Sequence, residues 1–387
     1  MRAVVNTTSN CRRTRILIVD DSVVMRTLLR SVVSADASLE VAGTAADGES
    51  ALQAIERLLP DLVLLDVEMP VMDGLATLRS LHTRGHRVPV IMCSALTQRG
   101  ARVTVEALAC GAADYVTKPA GQADRESALR TLAQDLIPKI KALTSRLAPA
   151  RNLFAGPSGV LKTLGPPEQD LGAPGVVAIA ASTGGPAALD VVLPALPAGF
   201  PLPVLVVQHM PELFTALLAE RLNRGCRLKV REAEEGAPVS AGTIFIARGN
   251  WHLEVVAVAN LLRSDWPDRS CLPSVLHLTQ QQPENHCRPS ANVLFRSVAA
   301  VYGGRFLGVV LTGMGSDGLA GCRILRNAGN LVLAQDEATS TVWGMPGAVA
   351  AAGLANRVLP LSAIGPEIVR LAGGSCAASP AVQGSVA

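Results

Sequence analysis

Eight polar residues share one kind of position, at or just beyond the end of a short apolar run. Asp20 and Asp21 follow Ile16–Val19, Asp66 follows Leu62–Leu65, Ser94 lies just past Val88–Met92, and Lys118 follows Asp114–Val116. Farther along, Ser182 follows Val176–Ala180, His209 follows Pro203–Val207, and Asp317 follows Arg305–Leu311. Two chemistries are open to these sets. Three crowded carboxylates need a cation, and their hard oxygen donors suit Mg2+. A lysine beside them can hold a phosphate oxygen, and a serine hydroxyl can donate to another. Ser182, His209 and Asp317 have the types of a nucleophile, a base and an orienting carboxylate. A serine hydroxyl is too weak an acid to attack unaided, so an imidazole must take its proton and a carboxylate must hold the imidazole.

Other readings compete in the second set. Ser182 stands in VVAIAASTGGP, where an apolar run gives way to a tight turn and Pro186 suits the first turn of a helix. A serine there can be a nucleophile, a ligand for phosphate beside unpaired N–H groups, or an N-cap. A histidine at a strand end is often a structural hydrogen-bonder, and Asp317 opens a helix, where Asp is a common cap. Gly313-x-Gly315-x-x-Gly318 also follows a strand and precedes a helix, with Asp336 roughly 20 residues on, the spacing of a dinucleotide fingerprint. Against that stand its late position in the domain and Asp317, which would set a carboxylate beside a pyrophosphate.

Alternating strands and helices must position these residues. After the first strand, Met25, Leu28, Leu29, Val32 and Val33 fall on one helical face. A strand is expected over Glu40–Thr44 and a helix over Gly48–Leu58. Strands alternating with helices imply a parallel sheet, whose carboxyl ends share one edge. Arg125–Leu147 has a helical pattern, with Pro138 expected to kink or end it. From Ala148 to Pro174 the chain is rich in Pro, Gly and Ala and reads as a linker. In the second half a helix is expected over Pro186–Leu193, another opening at Pro211, and a further one over Ser290–Val301. Thr243–Ile246 and His252–Val258, around Arg248-Gly249-Asn250, suggest an antiparallel hairpin, followed by an irregular segment over 260–290. Leu331–Ala334 is a last strand.

Composition sets the bounds. The 387 residues are 49% hydrophobic, 17% charged and 3% aromatic, so large cores must come from Val, Leu, Ala and Ile. A net charge of +3 gives no argument for nucleic acid. No apolar run is long enough for a bilayer or a signal peptide, so no membrane insertion and a cytoplasmic location are expected. The eight cysteines form no CxxC pairs and read as reduced, mostly structural thiols. Cys271, His277, His286 and Cys287 match no common zinc spacing.

Over residues 15–125 the acidic pair, LLDVEMPVMDG around Asp66, the Ser94 region and YVTKP resemble the receiver domain of two-component response regulators. The resemblance implies that Asp66 accepts a phosphoryl group from a histidine kinase, and that Asp20, Asp21 and Asp66 hold Mg2+. It implies further that Lys118 contacts the acyl phosphate, Ser94 swings toward it, and Tyr115 is the switch aromatic. Over 175–372, ASTGGP at 181, QHMP at 208, HCRPSANVLF at 286, LTGMGSDG at 311 and QDEATSTVWGMP at 335 resemble the chemotaxis methylesterase family. These enzymes hydrolyse glutamyl methyl esters on chemoreceptors, often also deamidating glutamine. The resemblance implies Ser182 as nucleophile, His209 as general base and acid, and Asp317 as orienter, with Thr183 and Met314 amides as oxyanion donors and no cofactor for the ester step. The chain departs from the family pattern at Ala180, at Arg248-Gly249-Asn250, at Asn292, and at Cys287, which intrudes between a His and an Arg often adjacent.

The expected fold is therefore α/β in two domains. A doubly wound (βα)5 receiver spans 15–130 and a Rossmann-like parallel-sheet hydrolase with an antiparallel hairpin spans 175–372. An arm over 1–14, a helical then Pro/Gly-rich joint over 131–174 and a disordered tail over 373–387 complete it. A monomer is expected, with the receiver covering the Ser182 edge until Asp66 is phosphorylated.

Overall fold

The computed structural model describes residues 12–119, 125–145, 174–258 and 274–373. The chain divides into two compact units, Met1–Pro157 and Ser158–Ala387. Most of the expected arm, the Pro/Gly-rich part of the joint and the tail lie outside the described residues.

The first unit alternates strands and helices: β1 (Thr14–Val19), α1 (Val23–Ser34), β2 (Leu39–Ala45), α2 (Gly48–Leu58), β3 (Leu62–Asp66), α3 (Gly74–Thr83), β4 (Val90–Ser94), α4 (Gln98–Ala109), β5 (Asp114–Thr117) and α5 (Arg125–Thr144). The strands form one parallel sheet in the order β2-β1-β3-β4-β5. Ile16 to Val19 and Leu62 to Leu65 are fully buried, as two-sided packing requires. Side-chain caps fix where helices start. Ser22, Asp47, Asp73 and Thr97 each accept a first-turn N–H, opening α1 to α4. The strand order reverses between β1 and β3, and the crevice outside that point is where such sheets bind ligands. Helix α5 runs on through Pro138 rather than ending there. One face of it buries Leu132, Leu136, Ile140 and Leu143, which offsets the hydrogen bond that proline cannot make.

The second unit contains β6 (Val176–Ala181), α6 (Gly185–Val192), β7 (Val204–Gln208), α7 (Glu212–Gly225), β8 (Lys229–Glu232), β9 (Thr243–Ile246), β10 (His252–Ala257), β11 (Ser274–Thr279), α8 (Ala291–Tyr302), β12 (Phe306–Val310), α9 (Leu319–Asn327), β13 (Leu331–Gln335), α10 (Met345–Ala351), β14 (Arg357–Leu359) and α11 (Leu361–Leu371). Seven strands form a parallel sheet in the order β14-β13-β12-β6-β7-β9-β8. Its direction of growth reverses at β6, with β7 on one side and β12 on the other.

The antiparallel hairpin is not where the sequence suggested. Strand β9 lies in the large sheet, parallel to β7 and β8, and β10 pairs with β11 instead, from His252↔Thr279 to Ala257↔Ser274. The run Ile244–Ile246 is buried on both faces, the pattern of a sheet interior. The turn at Gly249 therefore carries the chain out of the sheet rather than back along β9. Part of the segment expected to be irregular is strand β11.

Candidate active site

Parallel register brings the second unit's polar residues to one edge. Ala181 pairs with Gln208, so Ser182 and His209 leave adjacent strands at the same level, and the His209 N–H donates to the Ala181 carbonyl at 3.2 Å. On the other side of β6, Val310 pairs with Ala180, and the Ser182 N–H donates to the Thr312 carbonyl at 3.0 Å. Ser182 is not the cap of the helix that follows. Gly184 holds that position with φ +75°, and Pro186 lies within the first turn. Gln208 Nε2 donates to the Ser182 carbonyl at 3.0 Å and braces the turn from the neighbouring strand. Gly313 is required by closeness: a Cβ there would lie 2.8 Å from Ser182 Cβ and collide with Met345 Sδ. The GxGxxG stretch thus begins with a glycine that seats Ser182.

His209 and Asp317 form a buried pair, with Nε2 and Oδ2 2.8 Å apart. Burial alone would lower the imidazole pKa. The Asp317 hydrogen bond, helped by Cys287, outweighs that and raises it to about 9. Burial would likewise raise the Asp317 carboxyl, but His209 and two further donors bring it down to about 2. Asp317 does not cap its own helix, where Gly318 is the N-cap. It binds the start of α8 instead. The Ala291 N–H donates to Oδ2 at 2.7 Å, Ser290 Oγ donates to Oδ1 at 2.7 Å, and the Asn292 N–H reaches Oδ1 at 3.3 Å. A helix N-terminus favours the ionised carboxylate. The other ring nitrogen, Nδ1, faces Cys287 Sγ at 3.6 Å. Both imidazole nitrogens are therefore engaged, and Ser182 is a neighbour of His209 rather than its hydrogen-bond partner. Thr183 and Met314 follow β6 and β12 at the same edge. The Met314 N–H makes no backbone hydrogen bond among the described residues.

In the first unit, Asp20, Asp21 and Asp66 bring carboxylate oxygens within 4.8 Å of one another. The Lys118 ammonium stands 2.8 Å from Asp20 Oδ2 and 2.7 Å from Asp66 Oδ1. Burial outweighs the lysine and raises the Asp66 carboxyl; burial would lower Lys118, but the two carboxylates raise it. Asp20 Oδ2 has no other donor among the described residues. One ammonium among three carboxylates leaves negative charge over, and all the donors are hard oxygens, so the set fits Mg2+. A cavity of about 310 Å³ opens beside it, lined by Asp21, Asp66, Glu68, Ala95, Gly100 and Lys118. Ser94 is buried at the end of β4, its hydroxyl donating to the Ala95 carbonyl at 3.2 Å. Tyr115 is buried in β5 under the Lys139 ammonium, which lies 5.2 Å from the ring centre.

The two halves match two family models: a response regulator receiver domain over residues 16–130 and CheB methylesterase over residues 177–368. A protein-glutamate methylesterase/protein-glutamine glutaminase from Nocardioides sp. is 48% identical over 92% of this chain and 94% of its own length. One of the same description from Trichodesmium erythraeum is 45% identical over 93% of this chain and 99% of its own. This chain belongs to the CheB-type protein-glutamate methylesterase family. The crystal structure of the Thermotoga maritima CheB methylesterase catalytic domain is 36% identical, covering 52% of this chain and 100% of that one, with a TM-score of 0.47.

The residues expected to depart from the methylesterase pattern make specific contacts. Asn250, at φ +63°, accepts from Arg288 Nη2 at 2.7 Å, tying the turn after β9 to the segment before α8. Asn292 Oδ1 accepts the Gly321 N–H at 2.8 Å and joins α8 to α9. Cys287 reaches His209. Gln208 and Ser290 were not singled out in the sequence, although both lie inside the quoted stretches QHMP and HCRPSANVLF. Their place in those stretches was the one signal that could have found them. Of the four residues weighed as a zinc set, Cys271 lies outside the described residues, and His277 is engaged elsewhere, with Glu235 at 3.0 Å. Among the described residues, no helix is long and apolar enough to cross a membrane.

Proposed function

We propose that this chain, in the cytoplasm, hydrolyses γ-glutamyl methyl esters on chemoreceptors, and deamidates receptor glutamines, through Ser182, His209 and Asp317. The observation that carries the reading is the His209–Asp317 pair beside Ser182 at one sheet edge. Nε2–H stays on Asp317, and Nδ1 leaves the weaker sulfur contact to take the Ser182 proton. Ser182 Oγ attacks the ester carbonyl, and the Thr183 and Met314 amides receive the developing oxyanion. The C–O bond to methanol then breaks as His209 returns the proton to the leaving oxygen. Water, deprotonated by His209, cleaves the acyl-enzyme and frees glutamate and Ser182.

The first unit sets the rate in this reading. Asp66 takes a phosphoryl group from a histidine kinase; Asp20, Asp21 and Asp66 would hold Mg2+, which would supply charge neutralisation for the phosphoryl oxygens. Lys118 pairs with the acyl phosphate, Ser94 donates to it, and Tyr115 responds to the Ser94 movement.

Methanol release from a methylated chemoreceptor fragment tests both parts. Ser182→Ala is expected to lower it by roughly 10³-fold or more, and acetyl phosphate with Mg2+ to raise it in the wild type. Release unaffected by Ser182→Ala would refute the nucleophile. Release indifferent to phosphodonor would refute the control by Asp66.

A further inference from the structure

Cys287 lies against the one histidine that the ester chemistry needs. Its sulfur is 3.6 Å from His209 Nδ1 and 3.4 Å from the Asn285 carbonyl oxygen. It is a free, partly exposed thiol. Asn285 and His286, just before it, both have left-handed backbone, with φ +52° and +62°. They turn Cys287 toward His209.

The separation is what a metal would ask for. Tetrahedral Zn2+ with nitrogen at about 2.05 Å and sulfur at about 2.3 Å places the two about 3.6 Å apart. The tautomer fits as well. A metal-bound histidine almost always donates its other ring N–H to a carboxylate, which fixes the ring and strengthens it as a ligand. His209 Nε2 is held in this way by Asp317, leaving Nδ1 turned to the sulfur. Asp317 is already satisfied by Ser290, Ala291 and Asn292, so it serves as the support and not as a ligand. Among the described residues, no other cysteine stands in a cluster of metal-capable side chains.

We propose that Cys287 Sγ and His209 Nδ1 form an inhibitory site for a thiophilic divalent cation of the Zn2+ class. The Asn285 carbonyl supplies a third donor, and solvent fills the remaining position. Binding releases the thiol proton to solvent, together with the Nδ1 proton when His209 is charged. The bound ion occupies the nitrogen that must receive the Ser182 proton, so ester hydrolysis stops until the ion leaves. Mg2+ does not compete, because it shuns thiolate sulfur, and the carboxylates of Asp20, Asp21 and Asp66 offer no sulfur. The site itself stands on geometry; its inhibitory effect rests on the esterase reading above.

The full chain, stripped of metal with a chelator, is titrated with Co2+, whose bond to a thiolate gives a near-ultraviolet charge-transfer band. The wild type is expected to show the band at one equivalent and lose it to Zn2+. Cys287→Ser and Cys287→Ala, checked for folding by thermal melting, are expected to lack it. In methanol release, saturating Zn2+ is expected to cut the wild-type rate about tenfold or more, with recovery on adding EDTA. Half-inhibition of Cys287→Ser, against its own metal-free rate, should need about tenfold more Zn2+ or higher. A wild type without the band, or folded variants that keep it, overturns the site. A band with no inhibition of an active enzyme overturns the inhibitory role. A band in a chain that never releases methanol supports the site and refutes the esterase reading.

Discussion

Ser290 Oγ donates to Asp317 Oδ1 at 2.7 Å, so the hydroxyl that caps α8 also anchors the carboxylate behind His209. The same oxygen accepts the Asn292 N–H at 3.2 Å, and its residue is fully buried. Ser290→Ala removes both bonds and is expected to cost about 1–2 kcal/mol of stability. It should lower kcat about tenfold with little change in KM, because Asp317 loses its aim and not the substrate. Asp317→Asn goes further: it cannot hold an imidazolium, and kcat should fall about 10⁴-fold. Urea unfolding and methanol release measure the two effects. A Ser290→Ala enzyme with full kcat would show that the α8 amides alone hold Asp317.

The His209 pKa of about 9 sets the direction of the pH profile. A general base must be unprotonated, so kcat/KM is expected to rise with pH up to about 9 and then level. Cys287 helps hold the proton on the ring, so Cys287→Ala should move this acid limb to lower pH. The assay is run with EDTA present to keep thiophilic metals away. Stability has the opposite sign. His209 is raised above its usual 6.5, so its contribution is full below 6.5 and is lost as pH climbs through about 9. A profile that is flat from pH 6 to 9 would count against a strong His209–Asp317 pair.

What the sequence made legible follows from the period of parallel sheets. Buried strands read as continuous apolar runs, and residues at or just past each run land on the edge of their own sheet, so Asp20 and Asp66 could be grouped in one sheet, and Ser182, His209 and Asp317 in the other, before any fold was drawn. Pairing partners were not legible. Strand β10 looked like the return arm of β9 because a Gly turn separates them, whereas its partner β11 follows later. Side-chain contacts between distant segments were also hidden. Nothing local to Cys287 says that its sulfur meets His209, and nothing local to Asp317 says that it binds the start of α8, beside the cap Ser290, rather than capping α9. The αL cap at Gly184 settled a local question, since it removes Ser182 from the capping role that its residue type suggested.

Gly313 seats Ser182 by having no side chain. A Cβ there would lie 2.8 Å from Ser182 Cβ and press on Met345, while the Gly313 carbonyl already accepts the Gly344 and Met345 N–H groups at 3.0 and 2.8 Å. The turn therefore has no easy route of retreat. Gly313→Ala is expected to displace Ser182 by a fraction of an ångström and lower kcat about 100-fold, with overpacking costing about 1–3 kcal/mol of stability. Methanol release with an unfolding curve separates the two. Full activity would mean that the loop beyond β12 yields without moving Ser182.

In the receiver unit, Lys118 is, among the described residues, the one ammonium set against Asp20 and Asp66. Asp20 is fully buried, and the Lys118 side chain is 17% exposed, so water compensates poorly for its loss. Lys118→Ala leaves buried carboxylates facing one another without a counter-charge, and the metal-free protein should lose about 3–5 kcal/mol of stability. Mg2+ binds the folded carboxylate cluster and not the unfolded chain, so saturating Mg2+ should restore much of that loss. In Lys118→Ala combined with Asp20→Asn, which takes one carboxylate from the Mg2+ site, the stabilisation by Mg2+ should be much weaker. The phosphodonor response should vanish in Lys118→Ala even where Mg2+ has restored the fold, because the cation bound by the carboxylates does not replace the ammonium on the phosphoryl oxygens. Urea unfolding with and without Mg2+, beside methanol release with acetyl phosphate, tests each step. An undiminished phosphodonor response in Lys118→Ala would remove the lysine from the switch and leave it a purely structural counter-ion.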